Sequence, residues 1–331
     1  MIITRTPFRI SFFGGGTDYP AWFRRHGGAV LATTIDKYCY ITCRYLPQFF
    51  DHKYRIVYSR IENVRDISEI QHPAAKAVLD VLDCRDGLEI HHDGDLPARA
   101  GLGSSSSFTV GLVNAVTALR GKYISKEELA SQAIHIEQQV IREDVGSQDQ
   151  VSAAFGGLNR IEFLRDGSFD VAPMVLPAER LAELQSHLML CFTGLSRIAS
   201  EVARSKIENM DKREKELKIM HGLVDQAISV LQSRSASIEE FGSLLHESWN
   251  YKRKLSDKVS NSEIDAFYEA ARTMGAIGGK LLGAGGGGFF LLFARPGDHK
   301  AIREKFSRLV HVPFRFENAG SRVVLYQPTG L

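Results

Sequence analysis

A chain of 331 residues has room for one large or two medium domains, and a formal net charge of +2 gives it no excess that would draw it to nucleic acid or an anionic membrane. No apolar run reaches membrane-spanning length and the first seven residues lead straight into folded-looking sequence without a signal-peptide pattern, so a cytoplasmic protein is expected. Cys39, Cys43, Cys84 and Cys191 are scattered, and no second pair completes a zinc site with Cys39 and Cys43, so they read as buried free thiols of a reducing compartment.

The first part of the chain reads as strands. Residues 8–13 form one, ending at the Gly14-Gly15-Gly16 turn. Residues 29–35 and 38–45 are rich in β-branched and aromatic side chains, and Asp36-Lys37 between them gives a hairpin-like signal. Residues 54–58 make a further short strand. A helix follows over 73–82, with proline tolerated in its first turn. Residues 88–92 are a strand that leads into a glycine- and serine-rich loop. The apolar run after that loop predicts a helix over 104–119. Ser125-Lys126-Glu127-Glu128 is a capping-box pattern, and Leu129, Ala133, Ile136 and Val140 recur behind it at helical spacing. Residues 158–163 and 168–175 look like strands.

The second half differs in character. A strand over 187–192 precedes a long helical stretch whose charge run, residues 211–216, suits a solvated helix face. Ser237-Ile238-Glu239-Glu240 opens another helix through about 255, and Asn261 caps one through about 274. Two strands, 289–293 and 314–316, flank a last helix. The change near 178–187 divides the chain into an expected N-terminal domain, 1–180, and a C-terminal domain, 181–331. There are no internal repeats.

The chemistry concentrates in a few places. Pro97-Ala98-Arg99-Ala100-Gly101-Leu102-Gly103-Ser104-Ser105-Ser106-Ser107 is a glycine turn running into a helix start. Free N–H groups there make an anion site, and the hydroxyls suit phosphate oxygens or magnesium. The segment lacks the lysine of the Walker loop, and Ser106 stands where the dinucleotide fingerprint needs its third glycine. A flexible linker is the plain alternative, though linkers are not usually followed by a dozen apolar, helix-compatible residues. Phosphoryl transfer also needs a metal ligand and a group that positions or deprotonates the acceptor. Glu137 and Asp149 are the candidate acids, although Asp149 taken alone reads first as a cap or turn residue. Arg9 is a charge inside an apolar strand. Asp18, just past the triple glycine, is either an Asx turn or a site residue. A late cluster, residues 283–288, enters a buried strand, either as a bulge or as a loop that supports the phosphate cradle.

Together these segments resemble the GHMP small-molecule kinases, all three of whose motifs occur here in family order. Residues 7–18 look like the first motif, 97–107 like the second, and 280–288 like the third. Gly146-Ser147-Gln148-Asp149-Gln150 matches the segment that carries the catalytic aspartate in the galactokinase branch. The resemblance spans nearly the whole chain. It implies an α+β, two-domain fold: an N-terminal domain like domain 2 of ribosomal protein S5, and a ferredoxin-like C-terminal domain.

The resemblance also implies roles. Asp149 is the acceptor-activating carboxylate, and Arg9 lowers the pKa of Asp149 and of the attacking hydroxyl. ATP phosphates lie along Pro97, Arg99, Ala100, Gly101, Leu102, Gly103, Ser104, Ser105 and Ser106. Mg2+ is held by Ser105 and Glu137, with the serine register open by one. Gly14, Gly15, Gly16, Thr17, Asp18, Gly285 and Gly286 serve the acceptor. Galactokinases carry Glu and His where this chain has Gly15 and Gly16, which argues for a bulkier acceptor than galactose. The Gly-Gly-Gly-Thr-Asp-Tyr-Pro form is similar to bacterial D-glycero-D-manno-heptose 7-phosphate kinases, which phosphorylate the anomeric hydroxyl for surface polysaccharide. The expected substrate is thus a small sugar phosphate. Arg24, Arg25, His26, Arg99, Arg197, Arg204 and Lys206 are candidate cations for its phosphate. A fucokinase-like hexose 1-kinase is the competing enzyme, and a non-catalytic ATP and sugar sensor the reading from another class. The oligomeric state is not specified; a homodimer is compatible.

Overall fold

The computed structural model describes residues 1–98, 100–194 and 199–328. Arg99 and Arg197, both expected near the site, lie outside the described residues. Two β-sheets organise the chain. The larger contains β1 (Ile2–Phe13), β2 (Gly28–Tyr45), β3 (Tyr54–Val57), β4 (Ile61–Val64), β5 (Leu88–Gly94), β6 (Leu158–Phe163) and β7 (Phe169–Pro173). The smaller holds β8 (Leu188–Phe192), β9 (Ala276–Leu281), β10 (Phe289–Ala294) and β11 (Val310–Val312), in the antiparallel order β11-β8-β10-β9. The chain then returns to the first sheet. β12 (Phe316–Glu317) pairs with β2, and β13 (Arg322–Tyr326) pairs with β1. A cut at residue 180 therefore leaves two strands of the first sheet on the far side.

The helices are α1 (Pro20–His26), α2 (Pro73–Val81), α3 (Ser104–Leu119), α4 (Lys126–His135) and α5 (Gln148–Phe155) in the first half. In the second they are α6 (Ala178–Ser186), α7 (Ala199–Asn209), α8 (Glu214–Gln232), α9 (Glu239–Lys254), α10 (Ser262–Thr273) and α11 (His299–Lys305). The apolar run behind the serine loop becomes α3 with the expected bounds, and it is buried along nearly its whole length. Ser125 caps α4 with both bonds of the capping box, and the helix continues as a π-helical turn over Ile136–Ile141.

The hairpin expected at Asp36-Lys37 does not form; β2 runs through it as one 18-residue strand. Pro7 lies opposite and has no N–H to give the ladder. The register shifts there, with Pro7 facing Tyr38 and Phe8 facing Ile35, so Asp36 and Lys37 are taken up as a bulge. Asp36 is then held from outside the pair: its N–H donates to the Arg315 carbonyl at 2.9 Å, and its carboxylate accepts from Arg315 N–H at 2.8 Å.

One apolar core runs from Ile2 through α3 and α8 to Phe293, so it spans both halves of the chain. Phe12 and Phe13 of β1 meet Phe241 of α9 edge-on, at centroid distances of 5.5 and 5.0 Å. A second cluster around Trp249, Tyr268 and Phe290 fills the space between the smaller sheet and α9 and α10. Among the described residues no helix is long and apolar enough to cross a membrane. All four cysteines are free and buried.

Candidate active site

Between the two sheets lies a cleft of about 380 Å³. One wall is the serine loop. Helix α3 starts behind Gly103 without a capping side chain, and Gly101, Gly103, Ser104, Ser105 and Ser106 line the cleft. A helix start of this kind favours an anion. Pro97, Ala100 and Leu102 do not line it. The Ala100 carbonyl instead accepts from Phe289 N–H, and the Leu102 carbonyl from Arg9 N–H, each at 3.0 Å. These bonds fix the loop to β10 and β1.

The late glycine cluster buttresses this wall. A Cβ on Gly101 would lie 2.6 Å from the Leu282 carbonyl oxygen, and one on Gly283 would lie 2.4 Å from the Gly101 Cα. Both residues have positive φ, so the two loops touch backbone to backbone where no side chain fits. Gly283 and Ala284 reach the cleft. Gly285 and Gly286, expected on the acceptor, do not line it; Gly286 N–H is spent on the Val259 carbonyl at 2.9 Å.

At the cleft floor Arg9 and Asp149 form a two-pronged pair. Arg9 Nε donates to one carboxylate oxygen at 2.8 Å and Nη2 to the other at 2.9 Å, while Nη1 holds the Gly101 carbonyl at 2.8 Å. Arg9 is almost wholly buried, whereas a quarter of the Asp149 side chain is exposed to the cleft. Asp149 stands in the first turn of α5. The arginine orients the carboxylate through both oxygens, and the exposed quarter is open to a hydroxyl bound in the cleft.

The opposite wall starts from the triple-glycine turn. Gly15, Gly16 and Asp18 line the cleft; Gly14 and Thr17 do not. Thr17 is structural, its hydroxyl donating to the Gly14 and Ala29 carbonyls. Asp18 is buried, accepting from Gly16 N–H at 2.8 Å and from Gln148 Nε2 at 2.9 Å. Burial pushes its carboxyl above the ordinary range, and the Asp149 charge adds to that.

Glu137 is buried behind Ser106, whose hydroxyl donates to it at 2.9 Å, and Gln150 donates to the same oxygen. The serine facing Glu137 is thus Ser106; Ser105 is exposed and its carbonyl accepts from the Thr109 hydroxyl. Burial pushes the Glu137 carboxyl up to about 7, and its other oxygen is buried without a hydrogen bond among the described residues. A hydroxyl beside a carboxylate with an unused oxygen is a donor set that fits magnesium.

Two lysines that sequence patterning did not single out also line the cleft. Lys280 on β9 donates to the Phe12 carbonyl at 2.8 Å. Lys252 on α9 donates to the Leu281 and Gly283 carbonyls, both at 2.7 Å. Burial pulls both down, Lys280 to about 7. A signal for Lys252 was present: it stands three residues after Trp249 and seven after Leu245, on the apolar stripe of its helix. Lys206 on α7 is the third buried lysine of the cleft. Gln148 was missed because its role depends on Asp18, far away in sequence.

Residues 69–157 match the family model of the GHMP kinases N terminal domain, and 227–311 that of the GHMP kinases C terminal domain. The D-glycero-alpha-D-manno-heptose 7-phosphate kinase of Campylobacter jejuni is 30% identical over 89% of this chain and 90% of its own length. The chain belongs to the GHMP kinase family. It is therefore an enzyme that transfers a phosphoryl group to an alcohol, with ATP as the family's donor. The mevalonate kinase of Pyrococcus abyssi is 34% identical over 71% of the chain and 68% of its own length. The GHMP kinase fold is shared with a crystal structure of a D-glycero-D-manno-heptose 1-phosphate kinase from Bacteroides thetaiotaomicron. That match has a TM-score of 0.80 at 22% identity and covers 98% of each chain.

Proposed function

We propose that this GHMP kinase transfers the γ-phosphoryl group of ATP to the anomeric hydroxyl of D-glycero-D-manno-heptose 7-phosphate, giving the 1,7-bisphosphate. The observation that carries the reading is the Arg9–Asp149 pair, set between the serine loop on one wall and Asp18 on the other. The resemblance in the triple-glycine turn and the identity to the Campylobacter enzyme favour the heptose. Such a product belongs to the making of nucleotide-activated heptose for surface polysaccharide, in the cytoplasm.

In this reading the anomeric oxygen bonds to the γ-phosphorus as the bond to the bridging oxygen of ADP breaks, and the hydroxyl proton passes to Asp149. Arg9 fixes the carboxylate through both of its oxygens. The backbone of Gly101 to Ser106 receives the phosphates. Ser106 and Glu137 would hold magnesium, which supplies charge neutralisation on the phosphate oxygens when bound. Asp18, oriented by Gln148 and Gly16, accepts from sugar hydroxyls. Gly15 leaves the acceptor side open, since a Cβ there would meet nothing closer than 3.6 Å, whereas one on Gly16 would press on Leu217 at 3.1 Å.

A coupled assay of ADP release across free and phosphorylated sugars tests the proposal. Turnover with the heptose 7-phosphate, and little with galactose, fucose or unphosphorylated heptose, is the expected pattern. A response to an unphosphorylated hexose alone overturns it.

A further inference from the structure

The cleft is unusually rich in buried cationic side chains, and they differ in how their donors are used. Each lysine ammonium has three N–H donors. Lys252 spends two on carbonyls and Lys280 spends one. Lys206 makes no hydrogen bond or ion pair among the described residues, although only 6% of it is exposed. Its ammonium lies 5.3 Å from the centre of the Tyr19 ring, and the Asp18 and Asp149 carboxyls act on it through space. The ammonium faces the cleft, where a neutral sugar offers it hydrogen-bond acceptors but no charge, and an anionic group on the acceptor offers both.

The other described cations expected near the acceptor lie outside the cleft. Arg25 pairs with Asp211 on the surface, and His26 stacks on Trp22. Arg24 is exposed beside Gly167, and Arg204, 72% exposed, pairs with Asp144 at the rim. None of these four lines the cleft.

We infer that Lys206 is the receptor for the acceptor's own phosphate and the residue through which the enzyme prefers a phosphorylated sugar to the free one. The inference rests on the reaction proposed above and adds the residue that sets its specificity. Asp18 and Lys206 then divide the acceptor between them, hydroxyls to the carboxyl and phosphate to the ammonium. Burial draws the ammonium down to about 8, so it is still charged at neutral pH.

The test compares wild type, Lys206→Met and Lys206→Arg on heptose 7-phosphate and on the same heptose without phosphate, at saturating ATP. Lys206→Met should raise KM for the phosphorylated sugar by about 30-fold or more, the loss expected when one partner of a buried charge pair is removed. KM for ATP should stay unchanged, and Lys206→Arg should keep most of the preference. Binding of a fluorescent ATP analogue confirms that each variant is folded. A Lys206→Met enzyme that still discriminates like wild type overturns the inference and leaves the reaction standing. A loss confined to KM for ATP also overturns it, because the ammonium then serves the nucleotide. A wild type with no preference for the phosphorylated sugar removes the proposed reaction, and this inference with it.

Discussion

Arg9 and Asp149 show how much of this site depends on one paired contact. The carboxylate touches the arginine through both oxygens and still faces the cleft, so replacing it changes the chemistry more than the packing. Asp149→Asn should lower kcat by about a thousandfold, the scale of a lost general base, while ATP affinity by fluorescence titration stays within a few-fold. Near-native turnover would show that Asp149 is not the proton acceptor. Lys206 carries the opposite trade. Its folded pKa, near 8, lies below the ordinary lysine value of 10.5 because burial disfavours the charge. Between those two values the unfolded chain holds a proton that the native protein lacks, so the penalty is full below pH 8 and is relieved as pH rises toward 10.5. Lys206→Met should therefore stabilise the protein by ~1–3 kcal/mol at pH 7 and by much less near pH 10, read from denaturant melts at both pH values. A gain equal at the two pH values would mean that the ammonium bears no such penalty. A binding residue kept at a cost to stability is what a working site commonly shows.

Elements that carry their own local signal were legible, and those fixed by distant partners were not. The serine loop, the bounds of α3 and the cap at Ser125 are written in adjacent residues. The Asp36-Lys37 bulge is dictated by Pro7 across the sheet, and β9 was hidden because its glycines read as loop until Gly278 and Gly279 are seen packed under α9 and β10. For the same reason the motifs marked residues that line the cleft, but not that Lys252 and Lys280 line it too, nor that Ser106 rather than Ser105 faces Glu137. The late glycine cluster can be tested at this scale. Gly283 has φ +69°, and an added Cβ would overlap the Gly101 Cα. Gly283→Ala must push the two loops apart, so nucleotide affinity should fall at least tenfold and Tm by several degrees, as a strained close contact demands. Gly222, on the exposed face of α8 with open space around its Cβ position, is the contrast. Gly222→Ala should raise stability by about 0.5–1 kcal/mol through helix propensity alone, with nucleotide binding unchanged. If both substitutions behaved alike, the backbone contact between the loops would have no special role.

At the scale of the molecule the two halves share too much to be separate folding units. β1 is sandwiched between β2 and β13, so its outer edge is covered by residues from the end of the chain. Phe12 and Phe13 pack on Phe241, and Lys280 reaches across to the Phe12 carbonyl. The cleft itself has β1, the serine loop and α5 from the first half, and α7, α9 and β9 from the second. A fragment of residues 1–180 would expose one edge of β1, the face of Phe12 and Phe13, and the side of β2 that α8 covers. An uncovered apolar strand edge is a template for aggregation. The fragment should therefore be recovered only as aggregate or as an expanded state without near-UV CD. The intact chain should unfold in one cooperative transition, seen together by far-UV CD and by the fluorescence of Trp22 and Trp249, one in each half. Two separated transitions, or a fragment that folds and binds ATP alone, would show that the shared core and the returning strands are dispensable. If they are required, the cleft exists only in the assembled chain. Phosphate loop and acceptor wall then form together, and neither half can bind its ligand without the other.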